Sequence, residues 1–429
     1  MDASHKLDDD RIHEMARSSA YTQDRWWRPD EQPRQLLPVE AYTSEAWFQR
    51  ERRELFGKTW NFAGMVEDIG QPGDYITVQC GDASLVALRD MNGRLRAFHN
   101  ICRHRGARLL EGSGNIQRGL ISCFYHRWTY NLKGELQLAS VPYQEELFPC
   151  LDKSLYSLHR AKVAVWKNLL FVHPDPNAVP LDEWLADIPA KLGPFKPDQS
   201  RLHDPQELTE ISVVLYRVRA NWKIVTENFI DGYHLPLLHS VSLGDGDFTQ
   251  QKWQPAGRHQ AFYRPLKPEV AKDVSFARRN GSRVIDGIPP NYGASYQWLF
   301  PNVALFQTAY SWSTFHVIPV SPGECHVRSR VRGTKPPAGS VTNEVDPREL
   351  PPHILSAKGF EFSGDRLQVG PVHALESNNV MLEDIYACEA VQDGMSSPLF
   401  SVGPLSKWET PLSFFQRQVL DCLRLPSSA

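Results

Sequence analysis

Two segments, "NICRHRGARLL" and "ISCFYHRWTY", constrain this chain more than any other feature. The first carries Cys102 and His104, the second Cys123 and His126, with eighteen residues between His104 and Cys123. Two thiolates and two imidazoles bind tetrahedral zinc or an iron–sulfur cluster. Zinc knuckles usually pair two cysteines on one arm, whereas each arm here supplies one Cys and one His. That division suits a two-iron cluster in which one iron takes both thiolates and the other both imidazoles. Neutral imidazoles leave such a cluster less negative and raise its potential. Gly106 lets the backbone approach closely. Structural zinc, or two unrelated Cys/His pairs in a core, are the competing readings of the spacing.

The arms sit among short β-rich runs, "GDYITVQCG", "SLVALRD", "LRAFHNIC" and "VWKNLLFVHPDP", separated by glycine-containing turns. This pattern predicts a small antiparallel β domain over 60–176, preceded by a polar segment and a leading helix in 1–59. The helix is read from "SEAWFQRERRELFGKTW", with Ser44 as N-cap. Residues 177–429 form a second region. A Pro-punctuated linker ("LDEWLADIP", "FKPDQSRLHDP") comes first, and a strand then becomes helix near Ala220. Strands over 292–333 follow, then a Pro-rich stretch at 335–352 and a helical tail. The expected class is α+β, with a small antiparallel β domain beside a helix-flanked antiparallel sheet.

Composition removes several alternatives. The net charge of −3 gives no reason to expect nucleic acid or an anionic membrane as partner. No run of 18 apolar residues suggests a membrane span, and the start, "MDASHKLDDDRIHEMARSS", lacks the apolar core of a secretory signal. Seven scattered cysteines do not read as a disulfide framework and fit a reducing, cytoplasmic setting.

"C-R-H-R-G" followed by "C-F-Y-H-R-W-T-Y" resembles the [2Fe–2S] motif of the Rieske-type, ring-hydroxylating non-haem iron oxygenases. The family's usual second arm is closer to C-P-Y-H-G-W. Phe124 stands in place of the Pro and Arg127 in place of the Gly, and neither is a ligand.

A second constellation lies in "NFIDGYHLPLLH" (228–239). On a helix Asp231 and His234 share a face, and Pro236 kinks or ends the helix, a kink swinging His239 back toward His234. A lone pair of histidines reads equally as a satisfied helix end. With a redox motif upstream, however, two His and one carboxylate make the facial triad of non-haem Fe(II). The carboxylate must come from "NNVMLEDIYACEAVQDG", where spacing alone leaves Glu383 and Asp384 level. The resemblance selects Asp384, because the family's ligand sits five residues before a Glu, here Glu389.

The resemblance covers nearly the whole chain and is closest to the choline-monooxygenase and glycine-betaine-oxygenase branch. It implies one Rieske [2Fe–2S] cluster on Cys102, His104, Cys123 and His126. It also implies one mononuclear Fe(II) on His234, His239 and Asp384, with O2 as co-substrate. Electrons would come from a separate NAD(P)H-dependent reductase, with or without a ferredoxin. This chain has no dinucleotide-binding glycine motif of its own. Within one subunit of the family the two centres are too far apart. Asp231 is therefore implied to bridge His126 of one subunit to His234 of the next, in a ring that is typically a homotrimer, with a small β subunit left open. Asn228 is placed near the iron.

Tyr296, Trp298, Phe306, Tyr310 and Trp312 are candidate substrate-pocket residues. Aromatic walls suit a quaternary ammonium through cation–π attraction and a planar ring equally well. The branch favours hydroxylation or oxidative N-demethylation of a methylated amine, with aromatic-ring hydroxylation as the alternative. A Rieske electron carrier or an inactive binding homologue is the reading from another class. A carrier would need only the first domain, and the long second region argues against it.

Overall fold

Each half of the chain is built on its own antiparallel sheet. The computed structural model describes residues 33–138, 143, 145–186, 188–191, 208–272, 291–333, 354–356 and 373–423. The expected polar N-terminal segment, the linker at 195–205 and the Pro-rich stretch at 335–352 lie outside them. The chain divides into two compact units: Gln49–Trp184, and the residues up to Phe48 together with Leu185 onward. The fold class is α+β.

The leading helix α1 (Glu45–Glu54) begins where expected, with the Trp47 N–H donating to Ser44 Oγ at 3.4 Å. It stops at Glu54, short of the predicted Trp60, and a 3-10 turn at Phe56–Lys58 follows.

The first unit pairs β1 (Asn61–Met65), β2 (Asp74–Cys80), β3 (Ala83–Arg89), β4 (Leu95–His99), β5 (Ser113–Asn115), β8 (Arg160–Trp166) and β9 (Leu169–His173). Their order is β1-β9-β8-β4-β3-β2-β5. A separate ribbon joins β6 (Leu120–Ser122) to β7 (Thr129–Asn131). One core cluster contains Phe98, Cys102, Ile121, Cys123, Trp128 and Tyr130, so both cysteine-bearing loops are anchored in buried apolar packing. "LDEWL", expected in the linker, is a short helix at Leu181–Leu185.

The second unit holds an eight-stranded sheet in the order β11-β12-β13-β14-β15-β16-β10-β17. Its strands are β10 (Thr209–Val218), β11 (Lys252–Ala256), β12 (His259–Arg264), β13 (Ala294–Leu299), β14 (Val303–Gln307), β15 (Ser311–Ser321), β16 (Glu324–Gly333) and β17 (Ile354–Ser356). The β-branched run of β10 gives way to α2 (Trp222–Ile230) once Asn221 caps the helix, its side chain accepting from the Lys223 N–H at 3.0 Å. The short helix α3 (Leu235–Leu238) and the longer α4 (Val380–Met395) and α5 (Thr410–Leu423) complete the layer that matters for the site. Phe229 of α2 packs on Trp298, Tyr296 and Phe315, which fixes the sheet face that α2 covers.

The expected kink at Pro236 is corrected by the structure. Helix α2 ends at Ile230, and Asp231 is extended, with φ −73° and ψ 123°. His234 then begins the separate helix α3, and Pro236 sits in its first turn. A proline costs little there, because the first helical N–H groups have no intrahelical acceptor.

Candidate metal centre and cluster loops

His234 and His239 flank α3, one at each end. Five positions on a regular helix would leave them well out of phase, but both are cap residues and His239 leaves helical geometry at φ −101° and ψ 30°, and the ring centroids come to 5.1 Å. Across from them, α4 presents Asp384. Its Oδ1 lies 2.9 Å from His239 Nε2 and 3.5 Å from His234 Nε2. One donor atom from each of the three residues falls within 4.8 Å of the others. Each imidazole therefore turns Nε2 toward a common point, and its other nitrogen is occupied elsewhere. His234 Nδ1 donates to Asp231 Oδ2 at 2.8 Å, and His239 Nδ1 donates to Glu383 Oε2 at 2.6 Å.

Electrostatics here call for a cation. Burial disfavours the charged form of His234, yet its hydrogen bonds to the Asp231 and Asp384 carboxylates outweigh it and pull its pKa up to about 10. Burial opposes ionisation of Asp384 in the same way, and the two histidines hold it below the usual carboxylate range. The same carboxylates would favour a metal ion on the imidazole nitrogens in place of a proton. Two imidazole nitrogens and one carboxylate form the donor set of a non-haem Fe(II) facial triad.

The two cysteine-bearing loops of the first unit repeat one turn. Gly106 N–H donates to Cys102 O, and Arg127 N–H to Cys123 O, each at 3.0 Å. Cys102 N–H reaches Ala107 O and Cys123 N–H reaches Trp128 O, each at 2.8 Å. Gly106 and Arg127 both take positive φ, 78° and 56°. Arg127 thus adopts a glycine-like backbone at the position where the family pattern has Gly.

Both thiols are buried, interact with each other and form no disulfide. Tyr130 Oη lies 3.3 Å from Cys102 Sγ, a contact that spacing did not suggest. The imidazoles of His104 and His126 lie 4.6 Å apart, and His104 stacks on Trp128. His104 Nδ1 is buried with no hydrogen-bond partner. Burial, together with His126 and Arg105, lowers the pKa of His104 and keeps it neutral. A neutral imidazole with an orphaned buried nitrogen and two buried thiols that form no disulfide fit a metal cluster.

A small cavity of about 40 Å³ adjoins Asp384. Asn228, Phe229, Trp298, Phe315, Met381 and Cys388 are among its lining residues. Of the five aromatic candidates, Trp298 is on this wall. Tyr296 and Phe306 share its sheet face, Tyr296 stacking on Phe262 at 4.9 Å. Trp312 pairs with Gln307, one residue out of phase with Phe306, so it lies on the opposite face. Tyr310 sits in the turn between β14 and β15. Phe229 and Phe315 were missed; sheet register reveals Phe315, and the packing of α2 on that sheet face reveals Phe229.

With this geometry in hand, the comparisons identify the class. Residues 205–425 match the family described as "Ring hydroxylating alpha subunit (catalytic domain)", and residues 59–153 match "Rieske [2Fe-2S] domain". The chain belongs to the ring-hydroxylating α-subunit family of Rieske non-haem iron oxygenases. It is an oxidoreductase with a Rieske cluster and a mononuclear iron, and it uses O2.

The chain is similar to chloroplastic choline monooxygenase of Atriplex hortensis, 25% identical over 371 residues, covering 85% of this chain and 73% of that protein. Over 210 residues, 48% of this chain and 44% of the relative, it is 35% identical to the benzene 1,2-dioxygenase α subunit of Pseudomonas putida. The quaternary ammonium Rieske monooxygenase CntA, solved with L-carnitine, shares the fold at TM-score 0.64 and 21% identity, covering 90% of this chain and 95% of that one. Among the described residues, no helix is long and apolar enough to cross a membrane.

Proposed function

We propose that this terminal oxygenase hydroxylates or oxidatively N-demethylates a compact methylated or quaternary amine. The observation that carries the reading is the convergence of His234 Nε2 and His239 Nε2 on Asp384 Oδ1 beside a cavity walled by Phe229, Trp298 and Phe315. Aromatic faces attract an ammonium group once water is excluded. Among the described residues lining that wall, no Lys or Arg opposes an ammonium group. Choline monooxygenase acts, by its name, on such a compound.

In this reading Cys102, His104, Cys123 and His126 hold the cluster within 60–176, and His234, His239 and Asp384 hold the iron within 177–429. When bound, the iron supplies O2 activation, and the cluster supplies electrons received from a separate reductase or ferredoxin. The chain's own groups orient and exclude. Asp231 and Glu383 hold the two rings, Asn228 lines the approach, and the apolar wall keeps water from the substrate. Asp231 is the link between His126 of one subunit and His234 of its neighbour in a cytoplasmic homotrimer.

Ring hydroxylation of an aromatic substrate is the second reading, favoured by the benzene dioxygenase likeness. Incubating the reconstituted chain with a reductase, NADH and a panel of methylated amines and aromatic acids separates the two. Amine-dependent O2 uptake with formaldehyde or hydroxylated amine as product supports the proposal. Turnover of the aromatic compounds alone overturns it.

A further inference from the structure

His239 has no exposed side-chain surface, and the sequence suggested no partner for its second nitrogen. In the fold Nδ1 lies 2.6 Å from Glu383 Oε2. Ser242 Oγ donates to the same oxygen at 2.6 Å and lies 3.4 Å from Nδ1. The Glu383 side chain is 3% exposed. A carboxylate so deep is costly to bury unless donors satisfy it, and here an imidazole N–H and a hydroxyl converge on one oxygen. With Nδ1 donating, the Nε2 lone pair is the one left for a cation. Nε2 is the atom that faces Asp384.

We propose that Glu383, braced by Ser242, is a positioning residue for the iron: it fixes the tautomer and orientation of His239 without binding the metal. Each histidine is then backed by its own carboxylate. The two carboxylates differ in access. Asp231 is 16% exposed and can also meet a partner molecule, whereas Glu383 is sealed inside and only holds. The assignment rests on His234, His239 and Asp384 being the iron ligands.

The test uses the full chain with its cluster intact and the mononuclear site emptied, titrated anaerobically with Fe(II) and read after nitric oxide addition by EPR. Glu383→Ala should weaken Fe(II) binding about 10–100-fold and broaden the iron–nitrosyl signal, with the cluster's visible spectrum unchanged. Glu383→Gln, which keeps an acceptor oxygen, should recover most of the affinity. Ser242→Ala should lose less, in the same direction. Wild-type affinity and an unaltered signal in Glu383→Ala overturn the proposal. So does a loss as complete as that of Asp384→Ala, because Glu383 would then be a ligand. If Glu383→Ala does not fold, Ser242→Ala and Glu383→Gln decide, and wild-type behaviour of Ser242→Ala overturns the proposal. Retention of iron by Asp384→Ala would instead sink the ligand assignment itself.

Discussion

Asp231 Oδ2 lies 2.8 Å from His234 Nδ1, at the break between α2 and α3 rather than on a continuous helix. Asp231 Oδ1 also accepts from the Tyr233 N–H at 2.6 Å, so the carboxylate is fixed at both oxygens. Replacing it with Ala should leave both metals bound. Single-turnover product formation should fall about 10–100-fold, as for other groups that orient a metal-bound histidine. Rapid-mixing measurement of cluster oxidation against product checks this. An unchanged single-turnover rate would remove Asp231 from the electron route.

Asp384→Ala should abolish mononuclear iron while sparing the two-iron cluster, because the cluster loops belong to the other compact unit. Iron analysis together with the visible spectrum reads both centres in one sample. Loss of the cluster spectrum as well would show that the substitution unfolds the protein rather than emptying one site.

Glu227 gives the protein a pH-dependent stability. Burial pushes its pKa up from 4.5 to about 7, although Tyr42 Oη and Gln416 Nε2 donate to Oε1 at 2.7 and 2.9 Å. The folded state therefore holds a proton that the unfolded chain releases. This contribution is present below about pH 4.5 and is lost as pH rises through about 7, to a total of about 3 kcal/mol. Denaturant titrations of wild type and Glu227→Gln over that range should diverge, with the variant gaining relative stability toward pH 8. Parallel curves would mean that Glu227 keeps the same protonation state folded and unfolded.

Arg127 pays for a glycine-like backbone at φ 56°. Arg127→Gly should raise stability by about 1 kcal/mol, the typical strain of a left-handed L-residue. Gly106→Ala should lower it, because φ there is 78° although a Cβ would meet only Ile101 Cδ1 at 3.7 Å. Thermal melts of the cluster-loaded chain compare the two. Destabilisation by Arg127→Gly would show that the arginine side chain makes contacts worth more than the strain.

Chemical identity and local periodicity were legible from the residues alone. The Cys/His arms named a cluster before any fold was known. Ser44 marked a helix start, and the alternating runs marked strands, because capping and pleating depend on near neighbours. Local rules failed at Pro236, where two breaks were possible and the preceding Asp231 took the extended conformation.

Tertiary structure decided everything that depends on residues far apart in the chain. His239 meets Asp384 and Glu383 across 145 and 144 positions. Adjacent acids at 383 and 384 are equivalent by composition, and only the rotation of α4 aims one at Nε2 and the other at Nδ1. Trp298 and Trp312 are likewise equal as aromatics, until sheet register puts them on opposite faces. A side chain's type and its neighbours along the chain are written in the sequence. The direction it points is set by packing, in which each helix and strand can bury only one face against a given partner.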